Sequence, residues 1–222
     1  MPGSSKHMEK IFAIGDIHGC SDRLDLLMEK IPIDPEGDTL VFIGDYIDRG
    51  PDPKGVIDRI LRIRETHRNV VCLSGNHEQL FLDYYLRGRG VETFLFNGGM
   101  STLISYGFQP GGSRRSLQIP EAHRAFYEGL VLSYETSDYI FVHAGLRPGI
   151  ALAEQSDFDL LWIRDDFICS DYDFGKTVIF GHTHQPGNCP HRDVRKIGID
   201  TGAVYGGRLS CVELPEVRFY QV

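Results

Sequence analysis

The chain has 222 residues, 23 basic against 31 acidic side chains, and a formal charge of −8. That balance argues against a nucleic-acid or anionic-membrane binder working by bulk charge. With 41% apolar and 24% charged residues, the chain can bury a sizeable core, and no apolar run approaches the roughly 20 residues of a membrane span.

Three short apolar runs come first: Ile11 to Ile14, Leu40 to Ile43, and Val70 to Leu73. They are continuous rather than alternating, as in parallel strands covered on both faces. After the first run, Leu24, Leu27, Met28 and Ile31 recur at helical spacing, with Ser21 as N-cap. After the second, Val56, Ile57, Ile60, Leu61 and Ile63 form another stripe behind Pro51 and Pro53. Strand, helix, strand, helix, strand implies a right-handed βαβαβ unit. Leu80, Phe81, Tyr84 and Tyr85 make a further helical stripe, and Ala122 to Leu130 another. Between them, Gly111-Gly112-Ser113-Arg114-Arg115 reads as a mobile, exposed basic loop. The last third returns to strands at 131–134, 139–142, 178–180, 196–199, 209–214 and 217–220. The short gap Glu135–Asp138 suggests a hairpin. Residues 9–222 are expected to form one α/β domain, its sheets parallel early and partly antiparallel late.

Two further features bear on the setting. Cys20, Cys72, Cys169, Cys189 and Cys211 are odd in number and irregularly spaced, which favours free thiols and a reducing, cytoplasmic setting. Residues 1–8 read as an expression-vector remnant and stand outside the fold reasoning.

Each buried strand candidate runs into a polar cluster. Gly15-Asp16-Ile17-His18-Gly19 follows the first. Gly44-Asp45-Tyr46-Ile47-Asp48-Arg49-Gly50 follows the second, and Gly75-Asn76-His77-Glu78 the third. His143-Ala144-Gly145 and Gly181-His182-Thr183-His184 follow two later strands. Ligands of open α/β sheets bind beyond the carboxyl ends of the strands, so five such clusters point to one site. Two Asp, one Asn and three His suit Mn, Fe, Zn or similar ions. Six donors exceed what one catalytic ion needs and suit two ions about 3.5–4 Å apart, with Asp45 able to bridge.

These motifs resemble the phosphoprotein phosphatase group of metallophosphoesterases, in particular the bacterial and phage branch of serine/threonine protein phosphatases. The resemblance implies a four-layer α/β fold, a central β-sandwich of two mixed sheets flanked by helices. It implies two divalent ions, Mn²⁺ foremost, one held by Asp16, His18 and Asp45 and the other by Asp45, Asn76, His143 and His182. It implies His77 as general acid, Asp48 as its orienting partner, Arg49 and Arg164 as a phosphate clamp with Asn76 beside them, and Tyr205 overhanging the pocket. The expected reaction is direct attack of a metal-bridging hydroxide on a phosphomonoester of phosphoserine or phosphothreonine, with phosphotyrosine also open. Phosphoprotein or small phosphoester substrates, no nucleic acid, no membrane and a monomeric chain complete the expectation.

The alternative is a dinucleoside polyphosphate hydrolase, because diadenosine tetraphosphatases share this scaffold. The symmetrically cleaving type carries Gln where this chain has His18, which leaves the asymmetric type open. A general phosphodiesterase fits Asp48, Arg49 and Glu78 less well, and a non-catalytic binding module would lack a donor or an acid that is present here. Cys20 does not open the Cys-then-five-then-Arg loop of a cysteine phosphatase, since Leu26 stands where the Arg would be. His184 is expected to face away from His182, and His67, His123 and His191 to lie at the surface. Asn97-Gly98-Gly99 is expected to form a turn. Arg164 could instead pair with Asp165 or Asp166, and Asp48 with Arg49.

Overall fold

The three opening runs are strands β1 (Ile11–Ile14), β2 (Thr39–Phe42) and β3 (Asn69–Cys72) in a computed structural model that describes residues 9–109 and 111–222. They pair in parallel, β1 with β2 and β2 with β3. Helices α1 (Ser21–Lys30) and α2 (Pro53–Thr66) make the two crossovers. The vector-remnant reading of residues 1–8 lies outside the described residues.

The middle of the chain holds α3 (Asn76–Leu82), a π-helical turn at Asp83–Arg87, α4 (Val91–Phe96), α5 (Gly99–Ser105) and α6 (Glu121–Glu128). Then come β4 (Ser133–Glu135), β5 (Tyr139–Val142), α7 (Asp157–Trp162), α8 (Asp165–Ile168) and β6 (Thr177–Phe180). Strands β7 (His191–Arg192), β8 (Lys196–Gly198), β9 (Ser210–Leu214) and β10 (Arg218–Gln221) close the chain. One sheet has the order β10-β9-β1-β2-β3 and the other β4-β5-β6-β8-β7, and both are mixed. The short gap at Glu135–Asp138 is the β4–β5 hairpin, closed by the Thr136 N–H on the Tyr139 carbonyl at 2.9 Å.

Side chains alternate across a strand, and here both faces are covered. Phe12, Ile14, Leu40 and Phe42 pack against Leu24, Leu27, Val56 and Ile60 of the first two helices. Their neighbours Ala13 and Val41 meet Phe141, Ile179 and Ile197 of the other sheet. On that sheet's outer face, Ile140, Val178 and Phe180 meet Leu160 of α7, Phe167 of α8 and Ile163 between the two helices. Helices, sheet, sheet, helices: the four expected layers are present. Each fully buried Phe, Ile or Leu of this kind contributes about 1.5–3 kcal/mol, and the double covering is why the runs read as continuous.

Local details differ from the sequence reading. Ser21 does not cap α1. The helix begins at Ser21 itself, and its hydroxyl donates to Asp52 Oδ2 at 2.7 Å. Asp52 caps α2 by accepting from the Gly55 N–H at 3.0 Å. His123 is buried, not at the surface, because α6 carries it between the Tyr106 hydroxyl at 2.7 Å and Asp58 Oδ1 at 2.9 Å. Arg114 is anchored on the carbonyls of Tyr84 and Tyr85 at 3.0 and 2.6 Å and is not a free loop cation. The Arg115 side chain lies outside the described residues. His67 is half-buried against the Ile63 carbonyl, and His191 is exposed. The two exposed residues of β7 carry no apolar signal, so composition did not mark them. All five cysteines are unpaired, and among the described residues no helix is long and apolar enough to cross a membrane.

Candidate active site

The carboxyl ends of β1, β2, β3, β5 and β6 open on one edge. β1 runs into Asp16 and His18, β2 into Asp45, Asp48 and Arg49, β3 into Asn76 and His77, β5 into His143 and β6 into His182. All are buried except Arg49, which is half-buried. Left-handed backbone concentrates here: φ is 45° at His18, 51° at Asp45, 69° at Asp48, 66° at Arg49 and 60° at His182. Each such non-glycine residue costs on the order of 1–3 kcal/mol and persists only where its surroundings over-determine it.

Glu78 supplies much of that determination. Its fully buried carboxylate accepts from the N–H groups of Asp45, Tyr46 and Gly75, each at 2.9 Å. It thereby locks the turn after β2 to the start of α3. Gly75 allows the two to meet, since a Cβ there would lie 2.1 Å from Asp45 Oδ1.

Two donor groups share Asp45. His18, Asp45 and His77 offer ligand atoms within 4.8 Å of one another, and so do Asp45, His143 and His182. Asp45 Oδ2 lies 3.4 Å from His18 Nε2, and Oδ1 lies 3.4 Å from His143 Nε2. The ring tautomers follow from the backbone. His18 Nδ1 donates to the Ile47 carbonyl at 2.8 Å and His143 Nδ1 to the Ile43 carbonyl at 3.1 Å. The His18 Nε2 lone pair therefore faces inward, and His143 Nε2 points the same way. His143 Nε2 also stands 3.0 Å from Asn76 Oδ1; burial opposes charge on this ring, but the Asp45 carboxylate outweighs it and raises His143 to about 9. His77 Nε2 and His182 Nε2 are buried with no hydrogen-bond partner. A buried His182 Nε2 lone pair without a donor is costly unless a cation satisfies it, so the His and Asp set around Asp45 fits divalent metal.

Asp16 is placed differently from the other donors. Its carboxylate belongs to neither group and accepts from the His182 N–H at 3.0 and 3.2 Å. Burial and the nearby Asp200 push its pKa well above the usual range. Burial also opposes ionisation of Asp45, but His143, His77 and His18 outweigh it and hold that carboxyl well below the usual range. Burial lowers His18 to about 3 and His182 to about 2, keeping both neutral and ready to ligate.

His77 Nδ1 lies 2.6 Å from Asp48 Oδ2. Burial pushes Asp48 up to about 8 and His77 down to about 4, favouring the neutral form of each. Asp48 does not pair with Arg49. Arg49 Nη1 instead donates to His18 Nε2 at 2.6 Å, and its guanidinium sits 5.6 Å over the ring of Tyr205.

A cleft of about 160 Å³ opens above these groups. Asp45, Asn76, His77 and His182 line its floor; Arg49 and Arg164 flank it; Tyr205, exposed at 63%, stands at its mouth. Arg164 Nη1 donates to the His182 carbonyl and to Thr183 Oγ1, both at 3.1 Å, while Asp166 pairs with Arg147. His184 is exposed at the rim against Asn188, and Asn97, at the end of α4, also reaches the cleft. Asp200, Trp162 and Thr102 were not singled out by sequence. Trp162 lies two residues before Arg164 and Asp200 five before Tyr205. Thr102 has no motif around it.

A model of the calcineurin-like phosphoesterase family matches residues 9–186. The chain is similar to an asymmetrical bis(5'-nucleosyl)-tetraphosphatase of Anoxybacillus flavithermus, 28% identical over 234 residues that cover 94% of this chain and 92% of the relative. In fold it is similar to a solved structure proposed to be a diadenosine tetraphosphatase, with TM-score 0.75 and 22% identity over 98% of this chain and 94% of that one. It is also similar to a cold-active protein-tyrosine phosphatase of a Shewanella species, with TM-score 0.63 and 16% identity over 96% and 80% of the two chains.

Proposed function

The chain belongs to the calcineurin-like phosphoesterase family, and from that premise we propose that it is a metal-dependent hydrolase cleaving dinucleoside tetraphosphates asymmetrically. One observation carries the substrate choice: the similarity to asymmetrical bis(5'-nucleosyl)-tetraphosphatases runs through nearly the full length of both chains. This is the alternative that the motifs left open, and it displaces the protein-phosphatase reading as the better supported one. The cold-active tyrosine phosphatase shares the fold alone, so it does not weigh on substrate.

Asp45 would hold two divalent ions, with Asp16 and His18 on one side and His143, His182 and Asn76 on the other; Asp16 also braces the His182 turn. Bound there, the ions would supply Lewis acidity toward the phosphate and an activated water as nucleophile. The remaining steps belong to side chains. Arg49 and Arg164 bind phosphate oxygens, whose charge grows in the transition state. His77 passes a proton from Nε2 to the leaving oxygen, and Asp48 keeps the imidazole pointed at it. Tyr205 covers the mouth. With a nucleotide as leaving group, the departing oxygen is a weak base and needs that proton less than an alkoxide would.

The test compares kcat/KM for diadenosine tetraphosphate, a phosphoserine peptide and a phosphotyrosine peptide at one Mn²⁺ concentration, and identifies the nucleotide products. The reading expects the dinucleotide to be preferred, with mono- and triphosphate released. Preference for either peptide, or two diphosphates as products, overturns it.

A further inference from the structure

Thr102 lies 54 residues from Asp48 in sequence, yet the two are joined twice in the folded chain. The Thr102 hydroxyl donates to Asp48 Oδ1 at 2.5 Å and accepts from the Asp48 N–H at 2.9 Å. Both residues are fully buried, so no water can replace either bond. Oδ2 of the same carboxylate faces His77 Nδ1. The two oxygens thus have one partner each, and together the partners fix the carboxylate plane, which the broad χ2 of aspartate leaves free on its own. The clasp extends one residue further. The Arg49 N–H donates to the Gly98 carbonyl at 3.2 Å, in the turn that opens α5. Gly98 has φ +94° and no room for a Cβ, which would lie 2.8 Å from Arg49 Cγ. One short helical segment therefore grips both residues of a dipeptide held in left-handed backbone.

We propose that Thr102 is a positioning residue: through Asp48 it sets the direction of His77 Nε2 toward the leaving oxygen of the substrate. The inference deepens the reading of the cleft as a hydrolytic site, and rests on it. Its chemistry is specific to a hydroxyl, because one oxygen must both donate and accept. Serine can do both; valine, of the same shape, can do neither.

The experiment uses the Mn²⁺-loaded protein and a series of phosphate monoesters running from p-nitrophenyl phosphate to an alkyl phosphate. Thr102→Val is expected to lower kcat about 10–100-fold on the poorest leaving group, the range outer-shell partners carry. The loss should vanish toward p-nitrophenyl phosphate, with KM unchanged, and Thr102→Ser should restore the parent slope. A second readout needs no turnover: the far-downfield imidazole N–H resonance of the Asp48–His77 pair in metal-free protein, assigned by its loss in His77→Asn. It should persist in Thr102→Ser and be displaced or lost in Thr102→Val. Should Thr102→Val not fold, as judged by circular dichroism, Thr102→Ala takes its place with the same expectations. An equal loss on every ester, or an undisturbed resonance, overturns the proposal. Turnover of the monoesters without any cleavage of diadenosine tetraphosphate removes the substrate reading and leaves Thr102 in its role. Uniform loss in the variant, with dinucleotide cleavage intact in the parent, does the reverse.

Discussion

His77 Nδ1 and Asp48 Oδ2 stand 2.6 Å apart, and neither residue is reached by water. A hydrogen bond this short in a dry site holds the ring in one orientation and leaves Nε2 as its only atom free for chemistry. His77→Asn is therefore expected to lower kcat on an alkyl phosphate by about 10²–10⁴, the usual worth of a general acid. The loss should be smaller on p-nitrophenyl phosphate and on a dinucleoside tetraphosphate, whose leaving groups need less protonation. Steady-state kinetics on the three substrates checks this, and an unchanged kcat on the alkyl ester removes His77 from the role.

Asp45 stands between two donor groups, and the buried Nε2 of His182 has no hydrogen-bond partner. Active protein is expected to carry two divalent ions per chain by elemental analysis, and chelation should abolish activity. Because the ions bind only the folded chain, Mn²⁺ at about 100 times its dissociation constant should stabilise it by about 2.7 kcal/mol per site. Thermal unfolding with and without Mn²⁺ reads this directly. Full activity with one ion or none would contradict the two-ion reading.

Arg164 is tied to the His182 carbonyl and to Thr183 rather than to its acidic neighbours, so its guanidinium is held at the cleft. It is exposed, and water screens what it contributes. Arg164→Ala should weaken inhibition by inorganic phosphate by about 1 kcal/mol, roughly fivefold. Equal inhibition of parent and variant would take Arg164 out of the phosphate clamp.

Much of this was legible before any coordinates, and for a physical reason. Strands such as Ile11–Ile14 are covered on both faces, so they read as unbroken apolar runs. The donors sit immediately after them, where a parallel sheet must present its ligands. What sequence could not show depends on contacts between distant segments. Thr102 reaches Asp48 only because α5 folds back over the turn after β2. Glu78 reads as a motif letter, while its work is to bind three N–H groups from two different turns. His123 looked like a surface residue because the polar partners that permit its burial, Asp58 and Tyr106, lie on other helices. Asp16 reads as a metal donor, and only the fold shows that its carboxylate also accepts from the His182 N–H.

The last prediction concerns stability at the far side of the sandwich. Glu213 is buried in β9, where its carboxylate accepts from Lys10 Nζ at 2.6 Å and from the Tyr220 hydroxyl at 2.5 Å. Burial alone would raise its pKa, but the bonds from Lys10 and Tyr220 outweigh that and leave it below the ordinary 4.5. A carboxyl whose folded pKa is depressed stabilises the fold above its unfolded value, and that contribution fades as pH falls through the folded one. Glu213→Gln should therefore cost about 1–3 kcal/mol near neutrality, the worth of hydrogen bonds to a charged group. In a chain of this length, each kcal/mol lowers the melting temperature by about 2–4 °C. Parent and variant melting curves should converge as the pH falls below 4.5 and through the depressed folded value, because protonation removes from the parent what the substitution removed from the variant. A melting difference as large at low pH as at neutrality would show that the charge on Glu213 contributes nothing.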